Sequence, residues 1–176
     1  GSAAGGGFPQ WNCNCSNSSE ARKNPQRAKP RTQSSIAVSS DGNRWFLFNA
    51  SPDLRQQIND NIALQPKNGI RHSPIQGIFL TNGDVDHIAG LLNLRESYPL
   101  AIYGTSKVLK ILKNNSIFNV LNPKFVDRRE VKLNQSILLE DKNNKSLDIE
   151  IEVFPVPGKV ALYLEDETKG NNFGTE

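Results

Sequence analysis

The amino-acid sequence predicts a layered α/β fold, a sandwich whose mixed β-sheet carries helices on its outer face. Asp41-Gly42, a typical hairpin turn, separates two stretches of strand-forming residues at 34–39 and 44–49. A strand–helix–strand–helix succession follows between residues 78 and 112, and most of the remaining chain has strand patterns. Residues 147–153 alternate apolar and acidic side chains, which is typical of a half-buried strand in an antiparallel sheet. A chain of 176 residues can form one such domain with a sizeable core.

Local patterns predict the other elements. Residues 16–32 are polar and basic and contain two prolines, so we expect a long loop there. Thr105 and Ser106 are expected to cap a helix that continues to about Leu112. Short strands are expected at 125–126, 131–133 and 137–139, and residues 160–164 are expected to form a strand that pairs back after a turn at 156–158.

The turn at residues 81–87, called the metal turn below, concentrates ionisable side chains. A buried strand is predicted over 78–80 and a helix from about His87. Asp84 and Asp86 lie between them, and two carboxylates this close repel each other unless a cation lies between them. The pattern therefore favours a metal site formed by Asp84, Asp86 and His87. The alternative is a plain Asn-Gly-Asp turn with Asp86 as a helix N-cap.

Four polar residues are candidates for lining the same cleft. Asn49, Ser51 and Asp53 follow the second strand of the predicted hairpin, and Asn82 lies in the metal turn itself. Side chains that follow strands of one sheet are often delivered to a common edge, where ligands bind. For Ser51 the alternative is simple helix capping, with Pro52 at the first helical position.

The two cysteines, Cys13 and Cys15, are one residue apart and so poorly placed to form a disulfide with each other. Soft thiolate ligands suit zinc, but two of them do not complete a tetrahedral structural site. The sequence leaves a structural zinc site and two ordinary thiols as equal alternatives. Cysteines of this kind indicate a reduced compartment, so a cytoplasmic protein is predicted.

Charge and hydropathy exclude several classes of protein. The formal net charge is only +3, and the one basic cluster, within residues 22–31, is interpreted as a solvated loop, with contact to an anion as the alternative. The chain has no apolar run of membrane-spanning length and no signal-peptide pattern. It contains no methionine and opens on a glycine-rich loop at residues 1–7. We therefore expect residues 1–176 to be a partial domain, truncated at both ends, with one face of its sheet uncovered.

The metal turn resembles that of the metallo-β-lactamase superfamily, His-x-His-x-Asp-His after a strand. Asp86 and His87 match the last two residues of that motif, whereas Asn82 and Asp84 stand where the two leading histidines stand. These departures argue against an ordinary two-zinc hydrolase, because a zinc-bound hydroxide needs a well-ligated first site. A closer resemblance, to the coenzyme PQQ synthesis protein B family, is carried by residues 1–15 (GSAAGGGFPQWNCNC), 31–37 (RTQSSIA), 49–53 (NASPD), 81–92 (TNGDVDHIAGLL), 94–96 (LRE) and 154–159 (FPVPGK).

The resemblance implies the N-terminal part of a metallo-β-lactamase-like αββα sandwich and a role in pyrroloquinoline quinone (PQQ) biosynthesis. The implied reaction is iron- and O2-dependent hydroxylation of the tyrosine ring of a peptide-derived Glu–Tyr precursor. The alternative is a non-catalytic carrier that helps transport PQQ or its precursor to the periplasm. Asp86 and His87 carry over as Fe(II) ligands, with Asp84 as a further candidate from the same turn.

The same resemblance also predicts that this chain lacks some metal ligands of the family, at the iron site and at a structural zinc site. Further histidine ligands of the iron are expected outside the chain, so the chain alone is expected to be inactive. The family also binds a structural zinc through Cys-x-Cys-x-x-Cys. Cys13 and Cys15 match that motif, and Ser18 replaces its third cysteine.

Overall fold

Five strands form the main sheet, in the order β1-β2-β3-β4-β5. The structure, a computed structural model, describes residues 1–164 and 173–175 of the chain; the other residues of the predicted 1–176 domain lie outside the described part. The first two strands form the predicted antiparallel hairpin, and all later neighbours are parallel, so the sheet is mixed. The strands are β1 (Ile36–Val38), β2 (Trp45–Phe48), β3 (Ile75–Phe79), β4 (Leu100–Thr105) and β5 (Val126–Val131).

Helices cover one face of this sheet. Alternate side chains of the central strands, such as Leu47, Ile78 and Ile102, pack there against Leu54 and Leu112 of two helices. None of the helices in the described part of the chain is both long and apolar enough to cross a membrane. The helices are α1 (Ser16–Lys23), α2 (Leu54–Asn59), α3 (Val85–Ile88) and α4 (Ser106–Asn114), with 3-10 turns η1 (Ile62–Leu64), η2 (Ala89–Leu94), η3 (Ser116–Val120) and η4 (Leu162–Leu164).

A second hairpin covers the opposite face, so the expectation of an uncovered sheet face is wrong. Strands β6 (Gln135–Glu140) and β7 (Ser146–Val153) pair antiparallel, as predicted for this alternating segment. Leu139 and Leu147 pack onto a second core cluster that includes Phe46, Phe79 and Tyr103 of the main sheet. The physical reason is the alternation itself, because β7 turns its apolar side chains towards the sheet and its acidic side chains towards solvent.

Two predicted segments differ in the structure. Residues 16–32 are not all loop, because α1 forms at Ser16–Lys23. Cys15 caps this helix through Sγ, which accepts from the backbone N–H of Ser18, and the Arg22 guanidinium donates to the carbonyl oxygens of Cys13 and Gln10. The two short strands expected at 125–126 and 131–133 are one continuous strand, β5, whose middle residues are polar.

Arg129 explains how β5 tolerates a polar centre. Its guanidinium donates to the Tyr103 hydroxyl at 2.9 Å and lies 3.3 Å from a Glu140 carboxylate oxygen. The Tyr103 hydroxyl in turn donates to the Glu140 carbonyl at 3.1 Å. This side chain therefore ties the main sheet to the second hairpin.

The strand predicted at 160–164 is absent, and a 3-10 turn, η4, lies at Leu162–Leu164 instead. The preceding strand β8 (Pro157–Lys159) pairs with β9 (Phe173–Thr175), which comes later in the chain. Residues 162–163 consequently hydrogen-bond to the metal turn rather than to a strand.

Candidate metal centre

The metal turn brings three potential ligands together directly after β3. One ligand atom from each of Asp84, Asp86 and His87 lies within 4.8 Å of the others, and all three side chains are half-buried. Within the part of the chain that the structure describes, this is the one group of three or more His, Cys, Asp or Glu residues that converge in this way. Ligands at about 2.0–2.2 Å from one ion lie within roughly 4.4 Å of each other, so the three ligand atoms need to close by only a few tenths of an ångström to share a single cation.

Short-range hydrogen bonds shape this turn. The Asn82 Oδ1 accepts from the backbone N–H of Asp84 at 3.0 Å, which is a typical Asx turn. Asp84 then occupies the N-cap of α3, which begins at Val85, two residues before the predicted start. Its carboxylate makes no capping bond to the helix, so the capping role does not engage it. Gly83 packs closely against α4, because a Cβ there would lie 2.3 Å from Ile111 Cδ1 and would make that side chain shift.

Asp86 and His87 form a pair within the turn. The His87 Nδ1 lies 3.0 Å from the Asp86 Oδ1, and the two side chains are 19% and 21% exposed. A proton on Nδ1 donates to the carboxylate and leaves Nε2 unprotonated, the form in which imidazole binds metals. The other Asp86 oxygen faces the glycine-rich loop, since a Cβ built on Gly5 would lie 3.3 Å from Asp86 Oδ2.

The donor set suits a cation that accepts oxygen and nitrogen ligands. Two carboxylates and one imidazole match Fe(II), and they match Zn(II) as well. Three donors leave coordination positions open for further ligands or substrate. Asn82, at the position of a leading histidine in the superfamily motif, already uses its Oδ1 in the Asx turn.

The other candidate cleft residues, from the segment after β2, are engaged with neighbouring groups. Asn49 has a left-handed backbone (φ 65°), and its Oδ1 accepts from the N–H and hydroxyl of Thr81 at 2.9 and 3.1 Å. Ser51 is fully buried, and its hydroxyl donates to the side chain of Gln57 in α2. The Asp53 carboxylate accepts from the backbone and side chain of Gln33. Asn49 thus contacts the metal turn directly, whereas the side chains of Ser51 and Asp53 bind neighbouring segments instead.

Backbone contacts fix α3 against the end of β2. The Ala50 N–H donates to the His87 carbonyl at 2.7 Å, and the Gly90 N–H donates to the Ala50 carbonyl at 2.8 Å. A Cβ on Gly90 would lie 2.1 Å from the Ser51 carbonyl oxygen, so only glycine permits this approach. The candidate ligand His87 is thereby anchored through its own backbone.

Residues that the sequence interpretation missed also contact this site. The Leu162 N–H donates to Asp84 Oδ1 at 3.3 Å, and the Tyr163 hydroxyl donates to the Gly83 carbonyl at 2.7 Å. Gln33 reaches the glycine-rich loop from a position 27 residues away in sequence. No local pattern could identify them, because each acts on a segment distant in the chain.

The cysteine loop, residues 13–18, has a different geometry. Cys15 is exposed and Cys13 is partly buried, and both are free. The Cys15 Sγ lies 3.5 Å from the hydroxyl oxygen of Ser18, a residue only 3% exposed. Hydrogen bonds from the Ser18 side chain and backbone, and from the Cys13 side chain, lower the pKa of the Cys15 thiol from 9.0 to about 7.

The donor set of this loop does not fit a closed structural zinc site. Two thiols and a serine hydroxyl are present, and among residues 1–164 no His, Asp or Glu joins Cys13 and Cys15 in a group of three converging ligands. A structural zinc needs four strong ligands. The prediction of zinc at Cys13 and Cys15 therefore stays a prediction that requires ligands from elsewhere.

Comparison with known proteins places this geometry in a family. The profile of the beta-lactamase superfamily domain matches residues 44–175, which include strands β2 to β5 of the main sheet and the metal turn. The chain belongs to the beta-lactamase superfamily. This confirms the predicted fold class of a metallo-β-lactamase-like mixed α/β sandwich.

The predicted resemblance to coenzyme PQQ synthesis protein B is also confirmed. The chain is 52% identical over 168 residues to that protein of Methylobacterium radiotolerans, and 49% identical over 175 residues to that of Xanthomonas campestris pv. campestris. These alignments cover 96% and 99% of the chain but 54% and 56% of the relatives. The chain thus spans about half the length of the curated relatives it matches.

Solved structures agree with the sequence comparison. The crystal structure of Zn2+-bound PqqB from Methylobacterium extorquens superposes with a TM-score of 0.91 at 48% identity, over 100% of this chain and 56% of that one. A diphosphatase of the PhnP family superposes with a TM-score of 0.65 at 22% identity, over 99% of this chain and 58% of that one. The second likeness shows the fold alone.

Proposed function

We propose that the protein acts in PQQ biosynthesis, as an iron- and O2-dependent hydroxylase of the tyrosine ring of a peptide-derived Glu–Tyr precursor. The place in PQQ biosynthesis is supported by the similarity to proteins named coenzyme PQQ synthesis protein B. The reaction is supported by one observation, the convergence of Asp84, Asp86 and His87 within 4.8 Å. Oxygen and nitrogen donors with open positions are typical of non-haem iron oxygenases.

The chain's own residues would hold and orient the metal. Asp86 and His87 would bind Fe(II), and the 3.0 Å contact between them would fix the plane of the imidazole ring. Asp84 would add a second carboxylate from the N-cap of α3. Bound Fe(II) supplies the means of activating O2 beside an aromatic ring. The remaining ligands are expected from sequence beyond this half of the relatives' length.

Iron has to be distinguished from zinc, because the same donors accept both metals. The related PqqB structure is described as Zn2+-bound. In the superfamily motif a two-zinc site uses the leading histidines, and this chain has Asn82 and Asp84 in their places. We therefore propose a single functional metal, Fe(II), at the metal turn.

The proposal extends to location and partners. The substrates would be the Glu–Tyr precursor and O2, and neither nucleic acid nor a membrane span is involved. Two free cysteines support a cytoplasmic location, since free thiols persist in a reducing compartment.

The test is metal analysis together with O2 uptake, on the protein at the length of its relatives. The protein is loaded with Fe(II) and a Glu–Tyr substrate without oxygen, and O2 is then added. One iron per chain and O2 consumption that depends on the substrate would support the hydroxylase. Zinc alone, with no O2 consumption but saturable PQQ binding, would reject it in favour of the non-catalytic carrier.

A further inference from the structure

The glycine-rich loop at residues 1–7 is attached by backbone hydrogen bonds to the segment 31–33. The backbone N–H groups of Ser2 and Ala3 both donate to the Thr32 carbonyl at 3.0 Å. Phe8 and Arg31 exchange two backbone hydrogen bonds of 2.8 Å each. Between these attachment points the loop bends through glycines, and Gly5 faces the Asp86 carboxylate so closely that a Cβ on Gly5 would lie 3.3 Å from Asp86 Oδ2.

One buried side chain, that of Gln33, joins the bend of this loop to the rest of the fold. Its Oε1 accepts from the Gly6 N–H at 3.0 Å, and its Nε2 donates to Asp53 Oδ2 at 3.1 Å. The Gln33 backbone N–H donates to the same oxygen at 2.8 Å, and its carbonyl accepts from Gln57 Nε2 at 2.8 Å. Gln33 is only 8% exposed, so these bonds form away from competing water.

We propose that Gln33 is a positioning residue for the metal centre. By holding Gly6, it keeps the neighbouring Gly5 against the outer oxygen of Asp86, and this contact limits the rotation of that carboxylate. The inner oxygen of Asp86 then stays 3.0 Å from His87 Nδ1 and orients the imidazole. This inference rests on the proposed function to the extent that Asp86 and His87 are taken as metal ligands.

The chemistry requires an amide at position 33. The side chain must accept from Gly6 and donate to Asp53 at the same time, and the two ends of an uncharged amide do this whereas a carboxylate only accepts. A Gln33→Glu change would place a second carboxylate against Asp53 and would repel it. Adding Asp53→Asn supplies a donor towards residue 33 and an acceptor for its backbone N–H, so the double variant should recover the arrangement.

The experiment measures Co(II) binding to the metal-free protein at the length of its relatives, by chelator competition and by the visible absorption of the bound Co(II). Gln33→Leu and Gln33→Glu are expected to bind Co(II) about 10- to 100-fold more weakly, the usual range for groups that orient metal ligands, and to shift the absorption bands. The Gln33→Glu/Asp53→Asn pair should return most of the affinity. Gln76→Leu is the matched control, since Gln76 donates to Ser73 and Pro74 at the start of β3, the end away from the metal turn.

Gly5→Ala tests the same contact without touching Gln33, in case Gln33→Leu fails to fold. Its Cβ would stand 3.3 Å from Asp86 Oδ2, so the carboxylate has to move by a few tenths of an ångström and shifted absorption bands are expected. Unshifted bands in Gly5→Ala, or wild-type affinity and bands in a folded Gln33→Leu, would overturn the positioning role while leaving the metal centre in place. A wild-type protein whose Co(II) binding does not depend on Asp86 and His87 would overturn the proposed function and this inference together.

Discussion

The metal turn and the cysteine loop both concentrate metal-binding residue types within a few positions, yet the described residues build them very differently. At the metal turn, the ligands straddle the junction between a buried strand and a helix, and three side chains converge. At the cysteine loop, two thiols precede an exposed helix, and the third position is Ser18. Sequence proximity is therefore not sufficient for a metal site.

The difference lies in what surrounds each segment. The metal turn is held by Asn82 from within, by the Ala50 and Gly90 backbone bonds from one side, and by Leu162 and Tyr163 from another. The cysteine loop is held mainly by Arg22 through carbonyl oxygens and by its own helix cap. Neighbouring groups that hold the ligand side chains in place before a metal binds make metal binding more favourable.

Removing a ligand from the metal turn should have the largest effect. Asp86→Ala and His87→Ala should each weaken Fe(II) binding by more than about 100-fold, because direct ligands matter more than the groups that orient them. Metal content after dialysis and substrate-dependent O2 uptake measure the loss. The control is His72→Ala, since His72 is the other histidine and accepts a backbone N–H from Lys67 in an exposed loop. Equal iron content in His87→Ala and His72→Ala would remove His87 from the metal centre.

Completing the cysteine loop should have the next largest effect. Ser18→Cys would place a third sulfur near Cys15, because the Ser18 Oγ already lies 3.5 Å from the Cys15 Sγ. We expect the variant to bind one zinc per chain at this loop more tightly than the wild type does, since three thiolates and a water or further ligand can complete a tetrahedron. Zinc stoichiometry and the count of titratable thiols report the gain.

Ser19→Cys is the matched control for this gain of zinc. It adds the same thiol one residue further along α1, where the side chain points about 100° away around the helix. Wild-type protein that already protects Cys13 and Cys15 with bound zinc would show that ligands from elsewhere complete this loop.

A smaller effect is expected on the pH dependence of Cys15 alkylation, which reports on the cysteine loop alone. Because hydrogen bonds lower the pKa of this thiol to about 7, its thiolate should form as the pH rises through that value. Ser18→Ala removes the first of these bonds, so the pKa should rise towards 9.0 and alkylation at pH 7 should slow by a few-fold. Iodoacetamide rates on metal-free protein, with each cysteine resolved by mass spectrometry, provide the measurement. An unchanged pH profile in Ser18→Ala would show that Ser18 does not stabilise the thiolate.

Much of the fold and the metal turn could be predicted because their signals are local. The alternation in residues 147–153 predicted a half-buried strand, and the polar run after the apolar 78–80 segment predicted that Asp84, Asp86 and His87 lie together. Helix α1 was missed because its cap is Cys15, a residue type that rarely caps helices, and its sequence is almost wholly polar. The covering of the second sheet face depends on how the β6–β7 hairpin folds back, which no local pattern specifies.

The groups that support the site could not be predicted for the same reason. Gln33 contacts Gly6 and Asp53 across 27 and 20 residues of sequence, and Tyr163 contacts Gly83 across 80. Glutamine and tyrosine have no spacing signature of their own in these segments. The strand predicted at 160–164 also obscured Tyr163, because pairing with a strand would have taken it away from the metal turn.

Removing the Tyr163 hydroxyl should have the smallest effect and tests how far support of the metal turn extends. The bond to the Gly83 carbonyl measures 2.7 Å, and a single neutral hydrogen bond contributes about 1 kcal/mol. Tyr163→Phe keeps the ring and should weaken metal binding by no more than about fivefold, because Asn82 and the Ala50 backbone still hold the turn. Tyr98→Phe removes a hydroxyl on a segment just before β4, away from the metal turn, and serves as the control in the same chelator competition. If Tyr163→Phe lost as much metal affinity as a ligand variant, η4 rather than the strand–helix junction would determine the geometry of the site. The difference between the metal turn and the cysteine loop would then depend on long-range contacts.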